Sequence, residues 1–259
     1  MTATPTSPST NLLELRGVTV SFDGFLALND LNLQLAPGEL RSVIGPNGAG
    51  KTTFLDVITG KVRPTRGDVL FRGASIVGQS EHRISRLGIG RKFQTPRVYQ
   101  NLTPRRNLEL AVRGPHGPLA LLFGSLSSEQ RDRVQHLLRV VGLEQHANQP
   151  AGGLSHGQKQ WLEIAMLVAQ DPQLLLVDEP VAGLTDEETA LTAQLLRDLA
   201  GDHTVLVIEH DMEFIRDLQA PVTVLHEGHV LCEGSMDQVQ SDPRVIEVYL
   251  GSETQEEEP

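Results

Sequence analysis

Residues Gly45-Pro46-Asn47-Gly48-Ala49-Gly50-Lys51-Thr52 fit the pattern G-x-x-x-x-G-K-[ST]. Glycines at these spacings let successive backbone N–H groups turn toward one point. Such a nest, set at a helix N-terminus, holds phosphate. Lys51 is placed to reach terminal phosphates, and the Thr52 hydroxyl to sit on Mg2+. Thr53 follows at the start of the expected helix. A second chemical element is Leu174-Leu175-Leu176-Val177-Asp178-Glu179, an apolar run ending in two acids. Acids at the C-terminal end of a strand face the ligand crevice of an open α/β sheet. Asp178 is expected to hold Mg2+, directly or through water, and Glu179 to orient or deprotonate an attacking water.

These groups need a strand, a loop and a helix to hold them. Leu40-Arg41-Ser42-Val43-Ile44 reads as a short buried strand before the loop, and residues 53–58 as the helix after it. Residues 12–22 and 31–35 alternate in β fashion and suggest an antiparallel start. Val69-Leu70-Phe71 and Ala74-Ser75-Ile76 flank the turn pair Arg72-Gly73. From about Glu81 to Met166 the composition turns helical and irregular. Ser128 is expected to cap a helix whose stripe is Val134, Leu137, Leu138 and Val141, ended by Gly142. The β/α rhythm then returns. Residues 174–177 suit a central strand covered on both faces. A helix over 186–200 carries Leu191, Leu195 and Leu199, and residues 204–208 form another buried strand. Residues 222–225 and 229–231 read as a closing hairpin across Glu227-Gly228.

Bulk properties narrow the class. A length of 259 residues suits one large domain or two lobes. Hydrophobic content of 39% and charged content of 21% suit a soluble globular protein. A net charge of -11 argues against general nucleic-acid binding, which needs a basic field. Cys232 is the single cysteine, so neither an internal disulfide nor a cysteine zinc site is expected, and a reducing compartment is. No apolar run approaches the ~18 residues of a membrane helix. Residues 1–11 lack the apolar stretch of a signal peptide and are expected to be disordered, as is the acidic tail over 252–259.

Leu154-Ser155-His156-Gly157-Gln158 resembles the L-S-G-G-Q signature of ABC-type ATPases, with His156 in place of the first glycine. Ser155 also reads as a helix N-cap. The resemblance covers residues 12–251 and implies an α/β P-loop NTPase core with an antiparallel β subdomain and an inserted α-helical subdomain over about 85–166. It implies ATP and Mg2+ as cofactors. Gln94 resembles the glutamine that joins core to helical lobe and senses the γ-phosphate through Mg2+. His210 resembles the switch histidine on the γ-phosphate, and Phe22 the aromatic that stacks on adenine. Thr185 stands where many members carry Asp. In this family ATP lies between the phosphate loop of one subunit and the signature of the other, so Ser155, His156, Gly157 and Gln158 are expected to act in trans. One copy of each motif implies a dimer, a heterodimer with a second ATPase subunit in the complex, with a homodimer open to the chain in isolation. The resemblance further implies two transmembrane permeases, an extracytoplasmic solute-binding protein and a peripheral place on the cytoplasmic face of the membrane. A groove beside residues 94–105 is expected to receive the permeases, with Tyr99 and Leu102 lining it.

The segments over 93–99, 154–164 and 177–185 look like the branched-chain amino-acid importer group. Within it they are most similar to D-type ATP-binding subunits of urea importers, the histidine-containing signature followed by Trp161 above all. Import of urea or short amides is the expectation, with branched-chain amino-acid import as the alternative.

Overall fold

Two sheets with different hydrogen-bonding patterns carry the site. The computed structural model describes residues 11–92, 98–113 and 126–253. β1 (Leu13–Phe22) and β2 (Phe25–Leu35) form an antiparallel hairpin. With β4 (Arg66–Phe71) and β5 (Ala74–Ser75) they make a four-stranded sheet in the order β2-β1-β4-β5. The second sheet holds β3 (Leu40–Ile44), β6 (Ile89–Lys92), β7 (Leu174–Asp178), β8 (Thr204–Ile208), β9 (Val222–His226) and β10 (His229–Gly234). Its order is β10-β9-β3-β8-β7-β6, parallel except for the antiparallel edge strand β10.

The parallel sheet is covered on both faces. α1 (Lys51–Ile58) puts Phe54, Leu55 and Ile58 between the two sheets, against Leu174, Leu176, Leu206 and Ile208. The opposite face, Leu175, Val177, Val205 and Val207, meets α5 (His156–Val168), α6 (Asp186–Leu199) and α7 (Met212–Leu218). Alternate residues of a strand point to opposite faces, so a strand buried on both reads as an unbroken apolar run. α2 (Glu81–Arg86) precedes β6. α3 (Pro104–Arg113) and α4 (Ser128–Val140) pack with α5 as the helical part. α8 (Met236–Ser241) and α9 (Pro243–Glu253) close the described chain.

Three local expectations change. Ile89-Gly90-Arg91-Lys92 lies in the stretch read as helical and irregular, yet pairs in parallel with β7 as an edge strand. It is four residues long with two cations, so it has no apolar signal. The cap of α4 is Ser127, not Ser128. The Ser127 hydroxyl accepts the Gln130 N–H at 3.1 Å, and the Gln130 side chain accepts the Ser127 N–H at 3.0 Å. That reciprocal box requires a Gln or Glu three residues on, which selects Ser127. In α6, Leu195 and Leu199 are buried but Leu191 is exposed; Thr192 and Leu196 complete the inward face instead.

Candidate functional site

The strand order places the chemistry. β3, β8 and β7 are neighbours, with Val43 and Asp178 both in register with Ile208. The segments after their C-terminal ends therefore meet: the loop 45–50, the pair Glu209-His210 and the pair Asp178-Glu179. The loop leads directly into α1, with Gly50 as N-cap at φ 98°. A Cβ there would stand 2.5 Å from the Ala27 carbonyl oxygen, so both the left-handed conformation and the space require glycine. The Gly228 N–H donates to Ala49 O at 3.1 Å and pins the loop against the β9–β10 turn.

Lys51 folds over this loop. Its ammonium donates to Gly45 O at 2.5 Å and Pro46 O at 3.0 Å. Burial lowers its pKa, opposed by the carboxylates of Glu179, Asp178 and Glu209. The N-terminal N–H groups of α1, the Lys51 cation and the exposed Thr52 hydroxyl suit a polyphosphate. Thr52 and Asp178 supply the oxygen donors that Mg2+ prefers, and one carboxylate plus substrate phosphates is its usual protein site. No cluster of three or more acidic, His or Cys side chains that would hold a metal alone occurs among the described residues.

Asp178 is held from below. Arg91 Nη2 lies 3.1 Å from Asp178 Oδ2, and Arg91 Nη1 lies 2.5 Å from Asp56 Oδ1. Lys61 reaches the other Asp56 oxygen at 3.0 Å. One guanidinium thus joins β6, β7 and α1. Glu179 has φ 45°, a left-handed conformation that is uncommon outside glycine, and its N–H donates to Ile208 O at 2.9 Å. The backbone there is aimed by the neighbouring strand.

Two titratable groups at this end were missed from the sequence. Glu209 is buried; its oxygens accept N–H groups of Val181 at 3.2 Å and of His210 at 2.9 Å. It ties the segment after β7 to the segment after β8. Burial raises its pKa, and the backbone donors from His210, Val181 and Asp211 lower it. Lys92 is wholly buried on β6; desolvation lowers its pKa, against Glu163, Asp178, Glu209 and Glu179. A lone acid or cation flanking an apolar strand gives no such warning. His210 itself is exposed, with Nδ1 3.4 Å from Glu209 Oε2.

Other expected residues fall elsewhere. Gln94 lies outside the described residues. Phe22 is 48% exposed at the β1–β2 tip, paired with Phe25. Phe25 and Leu26, rather than Phe22, line the groove of about 1020 Å3 beside Pro46, Asn47, Gly48 and Ala49. Ser155, His156, Gly157 and Gln158 start α5, on the helical part. Ser155 caps it in a box with Gln158. The exposed His156 ring runs down the helix, with Nε2 2.9 Å from the Gln160 amide; that amide donates to Ala182 O at 3.4 Å. Trp161 Nε1 donates to Thr192 Oγ1 at 2.9 Å and docks α5 on α6. Thr185 caps α6. A separate groove of about 850 Å3 is lined by Leu87, Tyr99, Leu110 and Met166; Tyr99 is exposed there, while Leu102 is not part of its lining.

Comparison with known proteins agrees with this geometry. Residues 28–182 match the ABC transporter family, and residues 229–254 match the branched-chain amino acid ATP-binding cassette transporter family. The high-affinity branched-chain amino acid transport ATP-binding protein LivG of Escherichia coli K12 is 38% identical over 250 residues, 93% of this chain and 98% of LivG. BraF of Pseudomonas aeruginosa, with the same description, is 38% identical over 249 residues, again 93% and 98%. The structure of MJ1267, an ATP-binding cassette of an ABC transporter in its ADP conformation, superposes with TM-score 0.82 at 29% identity, covering 94% of this chain and all of that one. The dimeric cassette MJ0796 bound to ADP and Pi gives 0.71 at 29% identity, covering 86% and 98%.

Proposed function

The chain belongs to the ABC transporter family as an ATP-binding cassette, and from that premise we propose that it powers an importer of branched-chain amino acids. It binds ATP with Mg2+ and hydrolyses it in a cycle coupled to transport. The observation that carries the site is the meeting of the phosphate loop, Asp178-Glu179 and Glu209-His210 at adjacent strand ends. In this reading the loop, Lys51, Thr52 and Thr53 hold the phosphates, and Thr52, Asp178 and Gln94 serve Mg2+. Glu179 is the base for the attacking water, and His210 meets the γ-phosphate. Phe25, at the groove, joins Phe22 as a candidate for the adenine face. Ser155 through Gln158 complete the site of a facing subunit.

For the solute, the relatives named above and the match over 229–254 support the alternative reading over urea, which draws no support from them. No helix among the described residues is long and apolar enough to cross a membrane. The reading therefore assigns solute passage to two permeases served by an external binding protein. It places this subunit and a second ATPase on the cytoplasmic face of the membrane. The exposed Leu87, Tyr99 and Leu110 offer the permeases apolar contacts in a groove that charged side chains such as Arg86, Glu129 and Arg133 also line.

The test is uptake of labelled leucine, with labelled urea in parallel, in cells lacking this gene and complemented by wild type or Glu179→Gln. Leucine uptake restored by wild type alone supports both mechanism and solute. Urea uptake restored instead keeps the mechanism and overturns the solute.

A further inference from the structure

Ser155 makes two hydrogen bonds that use its hydroxyl fully on the donor side. Its oxygen accepts the Gln158 N–H at 3.1 Å, as an N-cap does. Its hydroxyl donates to Glu188 Oε1 at 3.0 Å. A serine has one hydroxyl proton, so while Glu188 holds it none remains for another anion. The other oxygen, Glu188 Oε2, accepts the Thr185 N–H at 3.2 Å. One carboxylate thus spans the N-termini of α5 and α6.

Gly157 gives an independent indication of where that carboxylate lies. A Cβ on Gly157 would stand 2.7 Å from both Cδ and Oε1 of Glu188. The carboxylate therefore presses on the first turn of α5, the end of the helix that favours an anion. The helices themselves are tied close by: Trp161 donates to Thr192 Oγ1, whose hydroxyl donates to the Glu188 carbonyl at 2.7 Å. Release of Ser155 must come from rotation of the Glu188 side chain, because α5 and α6 are docked at that level.

We infer that Glu188 is a latch on the signature serine, holding Ser155 in the separated subunit and yielding it when a nucleotide phosphate arrives from a facing subunit. This rests on the reading that Ser155 acts in trans. Two anions cannot share one serine proton, and the carboxylate repels the incoming triphosphate. Glu188 therefore raises the ATP concentration at which two subunits close. It is a positioning residue, acting through Ser155.

The experiment follows ATP-driven self-association of the full chain by light scattering, in a Glu179→Gln parent that retains nucleotide. Adding Glu188→Gln keeps the capping residue type at the third helical position while removing the charge. The ATP midpoint should fall about tenfold, as expected for losing one hydrogen bond to a charged acceptor, with the melting temperature little changed. Adding Ser155→Ala should raise the midpoint. If Glu188→Gln unfolds the chain, Glu188→Asp makes the same test, since it withdraws the carboxylate from Ser155 by one methylene. A midpoint unchanged or raised on altering Glu188, with Ser155→Ala still weakening association, overturns the latch alone. No ATP-driven association in the parent overturns the latch as a device between two copies of this chain, and no effect of Ser155→Ala overturns the trans reading and the latch with it.

Discussion

Replacing Arg91 by Met separates two roles of a buried guanidinium. Arg91, Asp56 and Asp178 each have side chains only 10–11% exposed. At 3.1 Å and an effective dielectric constant near 20, the Arg91–Asp178 attraction alone is roughly 5 kcal/mol. Part of that offsets desolvation, and what decides the mutant is the carboxylate left behind. Removing one partner of a buried pair typically costs about 3–5 kcal/mol. Lys61 remains on Asp56 at 3.0 Å, and Asp178 loses its ion-pair partner but keeps the attraction of Lys51 and Lys92, so the lower end, about 3 kcal/mol, applies. For a chain of this size that is a fall of roughly 6–12 °C in melting temperature. The assay is thermal and urea unfolding of the full chain with and without Mg-ADP. Without Mg2+ the variant should lose the full amount. With Mg-ADP it should regain part, because a divalent cation beside Asp178 replaces the missing charge. Arg91→Met/Asp178→Asn should lose less than the sum of the single changes, by about 1–3 kcal/mol, since no buried charge is then orphaned. An Arg91→Met chain as stable as wild type without Mg2+, or stabilised no more than wild type by Mg-ADP, would refute the reasoning.

Further outcomes follow from the same geometry. Lys51→Ala should abolish hydrolysis and weaken ATP binding, and Glu179→Gln should retain ATP while trapping the closed dimer; normal ATPase turnover by Glu179→Gln would remove Glu179 as the base. His156→Gly should keep the ATPase activity of the assembled complex within about one order of magnitude, or about 1.4 kcal/mol, because the ring is turned down α5 onto Gln160. Complete loss would give the imidazole a specific role. Glu209 has a folded pKa raised above 4.5 by burial, so between 4.5 and that higher value the native chain holds a proton the unfolded chain has released. Its contribution to stability is fully present below 4.5 and declines as pH rises through that window. The stability difference between wild type and Glu209→Gln, followed by urea unfolding from pH 4.5 upward, should decline with it; a difference that grows with pH would contradict the assignment.

Much of the candidate site was legible because its parts are local. The phosphate loop is eight consecutive residues whose glycines and lysine act within one strand–loop–helix unit. The cap of α5 needs only Ser155 and Gln158, three residues apart. β7 and β8 announced themselves as apolar runs because both faces are covered. β6 did not, since its four residues bury Ile89 and Lys92 and carry Arg91. The solute reading leaned on three short segments around the motifs, whereas identity over 250 residues and the match over 229–254 favour the amino-acid branch.

By itself, then, the sequence determined the reaction class and marked the residues proposed to meet phosphate and Mg2+, because backbone shape and side-chain type along a short stretch are set by neighbours in the chain. Tertiary structure alone decided what holds those residues in place. Arg91 meets Asp178 across 87 positions, Glu209 meets Val181 across 28 and Ser155 meets Glu188 across 33. Those pairs exist because parallel strands and crossover helices bring distant segments to one end of the sheet. No spacing along the chain encodes that, since long-range contacts depend on strand order and helix docking rather than on local periodicity.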